Sequence, residues 1–358
     1  MQKRGRRFPS SRWSLNWRAW SFAPVAILLL LGFLPRYAGT AETVARERRL
    51  TLPASGGSSP AGAAAQKVWL VDRSVSFETY SNGLRIDLNF AVSNQHRGSY
   101  PVFPLNGGSG PVRYGTVPAG IVYHTTESHL APFEEDQNRR LKQIGRNLIE
   151  VVRQERGYHY VIDRFGRVFR VVEESDAANH AGKSVWADAS GIYVNLNSSF
   201  LGIAFESQTG AAEQVTPAQI SAGRMLTQML RARYSIPAGN CVTHAQVSVN
   251  PLNMRIGEHT DWGSQFPFAA MGLPDNYAVP PPSLYAFGFD YDDAFLHAIS
   301  SAQNGAPWRG LALADDQVAR QAAAEGLSAA RYRRILQHRY KDIAALLEQR
   351  QEQSGGSS

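Results

Sequence analysis

The sequence predicts an α/β protein with a mixed central β-sheet flanked by helices, followed by a small helical C-terminal region. Three observations predict it. Between residues 115 and 275, short apolar runs alternate with segments of helical periodicity. After residue 280, apolar residues recur at three- and four-residue spacing without further strand patterns. Apolar residues make up 43% of the chain, which is enough to form a core.

Residues 1–41 are typical of an export signal, since a basic stretch is followed by an apolar run and then by small residues that suit cleavage after Ala41. The apolar run of about 13 residues is shorter than the roughly 20 that span a bilayer. We therefore expect a cleaved signal and an exported protein in the periplasm, the cell envelope or the medium. The alternative is an uncleaved anchor, which would be the chain's one contact with the membrane.

The net charge of +7 depends on this N-terminal segment. Seven of the 37 basic residues lie in residues 1–41, which contain no acid, so the remainder carries 30 bases and 30 acids. This balance gives no electrostatic reason to expect a nucleic acid partner. The single cysteine, Cys241, excludes an intramolecular disulfide and is expected to be a small buried strand residue.

Two segments precede the central region. Residues 42–66 are rich in Ala, Gly, Ser and Pro and predict a flexible linker. Residues 67–112 predict an N-terminal β-hairpin extension, because Asn82-Gly83 separates two runs of alternating apolar residues.

The central region has strands predicted at 119–124, 158–163, 167–172, 200–206 and 241–244, and helices at 134–154 and from Thr216 to about residue 234. Thr216 is expected to cap the second helix, with Pro217 at its first position. Three consecutive prolines at 280–282 predict a linker before the helical C-terminal region, 280–358.

Polar residues with metal-binding chemistry end two of the predicted strands. His124 and His244 each close an apolar strand, and His259 lies close to Asp261 in a polar loop. Strand ends at the rim of a sheet are where α/β proteins place ligands. Two histidines and one carboxylate leave one open position on a zinc ion, which is the pattern of hydrolytic zinc sites. Spacing alone does not select this set, because His124 and His244 are far apart in the sequence.

Seven segments carry a family resemblance in consistent order. They are IVYHTT at 121–126, YHYVIDRFG at 158–166, NHAG at 179–182, LGI at 201–203, TPAQ at 216–219, TH at 243–244 and HTDWG at 259–263. Together they resemble the type 2 N-acetylmuramoyl-L-alanine amidases, which are related to the peptidoglycan recognition proteins.

This resemblance implies a mixed sheet with one zinc ion per chain in a surface groove, held by His124, His244 and Asp261. It implies hydrolysis of the amide between N-acetylmuramic acid and L-alanine in peptidoglycan, for wall remodelling, recycling or lysis. The catalytic domain would span 113–279. The expected partner is peptidoglycan or a muropeptide, and we expect a monomer.

The chain departs from the family pattern at the residues that would handle protons. Ala204 stands where many members have a catalytic glutamate, and Glu206 lies two residues further, on the same strand face. Relatives without that glutamate have a tyrosine at the position of Tyr158. We expect Tyr158, Glu206 or both to act in catalysis, and favour Tyr158 because its alignment needs no shift.

The third ligand segment also differs. His259 replaces the family's lysine and could donate a hydrogen bond to the oxyanion. The stretch from His244 to Asp261 is longer than usual, which leaves Glu258 or His259 as rival third ligands, although Thr-Asp-Trp-Gly fits the family pattern. By the resemblance, His180 in the NHAG segment is expected to line the groove and bind substrate.

Two other functions compete with a zinc amidase. A non-catalytic peptidoglycan-binding protein on the same fold is favoured by Ala204. A serine or cysteine hydrolase is disfavoured, because the chain has no Gly-x-Ser-x-Gly segment and Cys241 has no evident partner base. The C-terminal helices would bind the cell wall or would pack on the catalytic domain.

Overall fold

A computed structural model of the chain describes residues 67–105, 110–209, 215–291, 293–300 and 308–355. These residues all lie in one compact unit that spans 48–358. The predicted signal at 1–41 and the predicted linker at 42–66 lie outside the described residues.

The described strands form one large mixed sheet and three small two-stranded sheets. The large sheet has the order β1-β2-β3-β8-β7-β11-β6-β12. In chain order the strands are β1 (Leu70–Arg73), β2 (Phe77–Tyr80), β3 (Arg85–Asp87), β4 (Tyr100–Val102), β5 (Arg113–Gly115), β6 (Gly120–Thr125), β7 (Tyr160–Ile162), β8 (Val168–Arg170), β9 (Val185–Asp188), β10 (Gly191–Val194), β11 (Phe200–Phe205), β12 (Cys241–Thr243), β13 (Val249–Asn250) and β14 (Arg255–Ile256).

Helices follow or connect these strands, so the predicted α/β class is confirmed. The described α-helices are α1 (Asn138–Glu155), α2 (Leu196–Ser199), α3 (Pro217–Tyr234), α4 (His244–Val247), α5 (Pro282–Phe287), α6 (Asp293–Ser300), α7 (Arg309–Ala324) and α8 (Ala329–Gly355). Thr216 caps α3 as predicted, in a capping box with Gln219.

The two long helices of the central region cover opposite faces of the sheet. Leu148 and Val152 of α1 pack in a cluster with Val161 of β7. Leu226 of α3 packs in the main core with Ile203 of β11. Val161 of β7 pairs with Ala204 of β11, the neighbour of Ile203, so the side chains of Val161 and Ile203 point to opposite faces of the sheet.

The N-terminal hairpin is part of the large sheet. Its turn at Asn82-Gly83 joins β2 to β3 as predicted, with Gly83 at a φ of 88°. β3 then pairs parallel with β8. The alternating pattern predicts a strand up to residue 92, but β3 ends at Asp87 and only an isolated bridge at Val92 continues the pairing.

The prolines at 280–282 begin a helix instead of forming the predicted linker. Pro281 occupies the N-cap position of α5 and Pro282 is the first residue of the helix, a position where a fixed φ suits a helix and the missing N–H costs nothing. Every residue of α5 is buried. Leu284 of α5, Trp308 and Tyr340 of α8 all belong to the same core cluster as the sheet. A role in wall binding stays a prediction.

Among the described residues, no helix combines the length and the apolar character needed to cross a membrane.

Candidate functional site

Three side chains that are distant in sequence converge at one edge of the sheet. His124 Nδ1 lies 3.1 Å from Asp261 Oδ2, and His244 Nδ1 lies 2.9 Å from Asp261 Oδ1. Potential ligand atoms of all three residues lie within 4.8 Å of one another. These are the residues that the sequence analysis named as metal ligands, and their spacing is compatible with a single bound ion.

The strand register brings the two histidines together. β12 pairs parallel with β6, with Thr243 opposite Tyr123. His244 therefore follows Thr243 at the level of His124. The predicted strand at 241–244 ends one residue early, because Thr243 caps the short helix α4 and His244 is the first residue of that helix.

The electrostatic surroundings favour the protonation states that a metal requires. Burial, and then the neighbouring His244, lower the pKa of His124 to about 4. Burial opposes ionisation of Asp261, but its contacts with His244 and His124 hold its pKa well below its usual range. An uncharged imidazole and an ionised carboxylate are the forms that bind a metal ion.

His180 contacts the far side of the His124 ring. His180 Nδ1 lies 3.2 Å from His124 Nε2, and His180 Nε2 lies 3.3 Å from the Phe200 carbonyl oxygen. His180, which was predicted to line the groove, is only 9% exposed. Both of its ring nitrogens contact protein atoms. His159 is fully buried next to it and accepts the Gly202 N–H on Nδ1 at 2.9 Å.

Tyr158 and His259 each contact one of the metal-ligand candidates. The Tyr158 ring is 4.9 Å from the His124 ring, between centroids. Burial, and then the charge of Asp261, raise the Tyr158 pKa well above its usual value, so its hydroxyl keeps its proton. The exposed His259 ring stacks on His244 at 4.6 Å with an interplanar angle of 18°.

A family model matches the part of the chain that holds this cluster. Residues 114–264 match the model described as N-acetylmuramoyl-L-alanine amidase, and they include His124, His244 and Asp261. This region belongs to the N-acetylmuramoyl-L-alanine amidase family. The resemblance read from the seven sequence segments is confirmed, and the match ends before the C-terminal helices.

Solved structures of amidases are among those similar to the chain. LysC from Clostridium intestinale is 24% identical, with 51% of this chain and 93% of that chain covered and a TM-score of 0.28. AmiD from E. coli is 19% identical, with 58% and 91% covered and a TM-score of 0.39. AmpDH3 from Pseudomonas aeruginosa is 20% identical, with 54% and 86% covered and a TM-score of 0.38. At these values the similarity by itself assigns no function. No curated protein sequence matches the chain.

The amidase-family region has Ala204 directly beside the metal-ligand candidate His124, since the two residues pair between β11 and β6. Glu206 lies beyond the end of β11 and is buried. Glu206 Oε2 accepts a hydrogen bond from the Arg164 backbone N–H at 3.1 Å. The same oxygen lies close to Gly145 of α1, at 3.7 Å from the position that a Cβ atom on this glycine would take. These neighbours place the Glu206 carboxylate between the 163–167 turn and α1.

Of the two rival third ligands, His259 stacks on His244, whereas Glu258 has other surroundings. Glu258 is exposed, and its carboxylate accepts a hydrogen bond from Asn250 of β13 at 3.3 Å. The longer stretch before Asp261 forms the small hairpin of β13 and β14. The geometry therefore favours Asp261 as the third ligand.

Glu127 lies near enough to Tyr158 for its charge to raise the Tyr158 pKa, and the sequence patterns do not single it out. Its Oε1 accepts hydrogen bonds from the hydroxyls of Thr125 and Thr209 and from the Thr209 N–H. Its φ of 51° is rarely adopted by residues other than glycine, and such strain is found at functional sites. Its position three residues after His124 was the only sequence signal.

Proposed function

We propose that this protein is a zinc-dependent N-acetylmuramoyl-L-alanine amidase that hydrolyses the amide between N-acetylmuramic acid and L-alanine in peptidoglycan. The observation that carries the proposal is the meeting of His124, His244 and Asp261 inside a region that belongs to the amidase family. The spacing of these three residues in the sequence does not require their side chains to lie together, whereas a shared metal ion requires it.

The donor set fits zinc. Two imidazoles and one carboxylate match the three-ligand pattern of catalytic zinc sites. A bound zinc ion would supply Lewis-acid chemistry, polarising a carbonyl oxygen and lowering the pKa of water. Calcium and magnesium ions prefer oxygen ligands, so the imidazole nitrogens of His124 and His244 would bind them weakly.

Two side chains beside the cluster would assist the reaction. The Tyr158 hydroxyl can donate a hydrogen bond to the substrate carbonyl oxygen as negative charge develops there. The exposed His259 ring could donate a second bond at the mouth of the site or transfer a proton to the leaving amine. Tyr158 is the stronger candidate, because it is partly buried and in contact with His124. The buried surroundings of Glu206 make it the weakest of the three.

The substrate would be peptidoglycan or a muropeptide, and the site would act outside the cytoplasm. AmiD was solved with anhydro-N-acetylmuramic acid-L-Ala-D-γ-Glu-L-Lys, a ligand of this chemical class. The exported location is inferred from residues 1–41 and stays a prediction, since those residues lie outside the described part of the chain.

Zinc content and reaction products together test the proposal. We expect about one zinc ion per wild-type chain, and release of L-alanine-terminated stem peptides from purified sacculi, identified by mass spectrometry. His244→Ala should lose both, because two ligands no longer suffice to hold the ion. His338→Ala, at an exposed histidine of α8, should lose neither.

A non-catalytic peptidoglycan-binding protein is the second candidate, and Ala204 is the observation that favours it. In this case the wild type would bind sacculi and hold zinc without releasing peptides. A wild type that binds no zinc and releases no peptide would contradict both the amidase and its zinc site.

A further inference from the structure

The His124 ring contacts partners through both of its nitrogens, and the two contacts have different requirements. Nδ1 faces the Asp261 carboxylate at 3.1 Å, and Nε2 faces His180 at 3.2 Å. A neutral imidazole carries one proton, so only one nitrogen can offer a lone pair to a metal ion. For Nδ1 to be the ligand atom, the proton must be on Nε2.

His180 can stabilise a proton at this position. Its Nε2 is 3.3 Å from the carbonyl oxygen of Phe200, which can only accept a hydrogen bond. A neutral His180 therefore carries its proton on Nε2 and leaves Nδ1 as an acceptor. That acceptor faces His124 Nε2 and stabilises a proton there, whereas the ionised Asp261 carboxylate, which can only accept, favours a proton on Nδ1 as long as no metal ion is bound. When a metal ion binds the Nδ1 lone pair, the proton must lie on Nε2, and His180 Nδ1 would accept its hydrogen bond.

The surroundings of His180 hold its ring in this orientation. Asn197 Oδ1 accepts the backbone N–H groups of His180, Ala181 and Gly182, at 3.0, 2.7 and 2.9 Å. Gly202 provides room for the ring, since a Cβ there would lie 2.6 Å from His180 Cγ. The turn at 180–182 therefore has little conformational freedom, because three of its N–H groups bond to one amide oxygen and the His180 ring packs closely on Gly202.

We propose that His180 is a positioning residue that accepts the His124 Nε2–H when Nδ1 binds the metal ion, and thereby stabilises the metal-binding form of His124. This inference rests on the proposed zinc site. It assigns the histidine of the NHAG segment a role in metal binding in place of the substrate contact that the family resemblance implies. Both ring nitrogens of His180 are used within the protein, which leaves none for a substrate.

Two substitutions separate the hydrogen bond from the bulk of the ring. His180→Phe keeps a ring but removes both nitrogens, whereas His180→Asn keeps an acceptor oxygen near the position of Nδ1. We expect His180→Phe to lower zinc affinity about 10- to 100-fold, as for other residues that orient metal ligands. We expect His180→Asn to stay within about threefold of the wild type, and the control His338→Phe to show no change.

Zinc affinity is measured on the full chain by competition with a chromophoric chelator, so catalysis is not required. In parallel, long-range ¹H–¹⁵N spectra of the zinc-loaded protein report which ring nitrogen of His124 carries the proton and how fast that proton exchanges with solvent, with His124→Ala identifying the signal. The wild type should show a slowly exchanging proton on Nε2 of His124, and the Phe variant should show faster exchange, because its Nε2–H lacks the His180 acceptor.

The outcomes separate this inference from the proposed function. Equal zinc affinity in the wild type and His180→Phe would overturn the positioning role and leave the zinc amidase standing. A zinc-loaded wild type whose His124 carries its proton on Nδ1 would also overturn it, even if His180→Phe fails to fold. A wild type that binds no zinc would overturn the proposed function, and this inference with it.

Discussion

Removing the hydroxyl of Tyr158 tests catalysis separately from metal binding. Its ring contacts the His124 ring, and the described hydrogen bonds of His124, His244 and Asp261 do not involve its hydroxyl. Tyr158→Phe should therefore keep zinc content at the wild-type level. The loss of one donor to the developing negative charge should lower kcat about 10²- to 10³-fold, with little change in KM.

Steady-state release of peptide from a soluble muropeptide measures this effect. Tyr332→Phe is the matched control, because it removes a hydroxyl that bonds to Gln321 in the C-terminal helices. An unchanged kcat in Tyr158→Phe would remove Tyr158 from the mechanism and would shift attention to His259.

Much of the candidate site could be predicted at the residue scale, because strand ends can be read from short apolar runs. His124 and His244 were found in this way, with Asp261 added from the family pattern. The position of Glu206 could not be predicted, since the two-residue spacing fixes its strand face but not the packing of α1 above it. The contacts of Asn197 and Gly202 with His180 could not be predicted either, because they form only when the turn at 180–182 packs against these residues in the folded chain.

At the scale of elements, the N-terminal hairpin is joined to the sheet by a buried ionic network. Glu78 of β2 is 1% exposed and accepts hydrogen bonds from Arg170 of β8 at 2.8 Å and from Tyr80 at 2.7 Å. Arg170 also bonds to Glu174 at 3.1 Å, and Arg233 of α3 bonds to the same carboxylate at 2.8 Å. The network therefore connects β2, β8 and α3.

This network predicts acid-sensitive stability. Burial opposes ionisation of Glu78, but the hydrogen bonds from Arg170 and Tyr80 lower its pKa from the usual 4.5 to about 2. A lowered folded-state pKa contributes stability above pH 4.5 that is lost as the pH falls toward about 2. We expect the free energy of unfolding to decrease over this range in the wild type.

Glu78→Gln should lower stability at pH 7, because it leaves the Arg170 charge without its partner. It should also flatten the dependence on pH between 5 and 2, as measured by urea unfolding at each pH. Glu134→Gln, at an exposed glutamate, serves as the control. A dependence on pH that is equally steep in Glu78→Gln would assign the acid sensitivity to other carboxylates.

The elements that were missed from the sequence are the ones whose patterns are short or unusual. The proline run at 280–282 predicts a linker because prolines break helices. Proline is also common at the first position of a helix, and only the packing of α5 decides between the two. The strands β4, β5, β9 and β10 have three or four residues each, too few for alternation to identify them.

At the scale of the whole molecule, the C-terminal helices brace the loop that carries Asp261. Trp308, at the start of α7, donates its indole N–H to the Gly263 carbonyl at 2.7 Å and stacks on Tyr277. The Tyr277 hydroxyl donates to the Trp262 carbonyl at 2.6 Å. Both carbonyls follow Asp261 directly in the chain, so the C-terminal region supports the ligand loop.

Trp308→Ala should therefore weaken the protein and its metal site together. Removing a large side chain that is 1% exposed is expected to cost about 3–5 kcal/mol of stability. Zinc affinity should fall as well, because the loop loses the hydrogen bond from Trp308, and Tyr277, which donates the second hydrogen bond, loses its stacking partner. Thermal unfolding and chelator competition measure the two effects, and Trp69→Ala, at a tryptophan that is 56% exposed, is the control. An unaltered Tm and affinity would mean that the helices do not support the site.

The central claim is that His124, His244 and Asp261 hold one zinc ion, and anomalous diffraction at the zinc edge from crystals of the zinc-loaded protein tests it most directly. We predict one strong peak about 2.0–2.2 Å from His124 Nδ1, His244 Nδ1 and one Asp261 carboxylate oxygen. A peak held by Glu258 or His259 in place of Asp261, or no peak near His124 at all, would contradict this account.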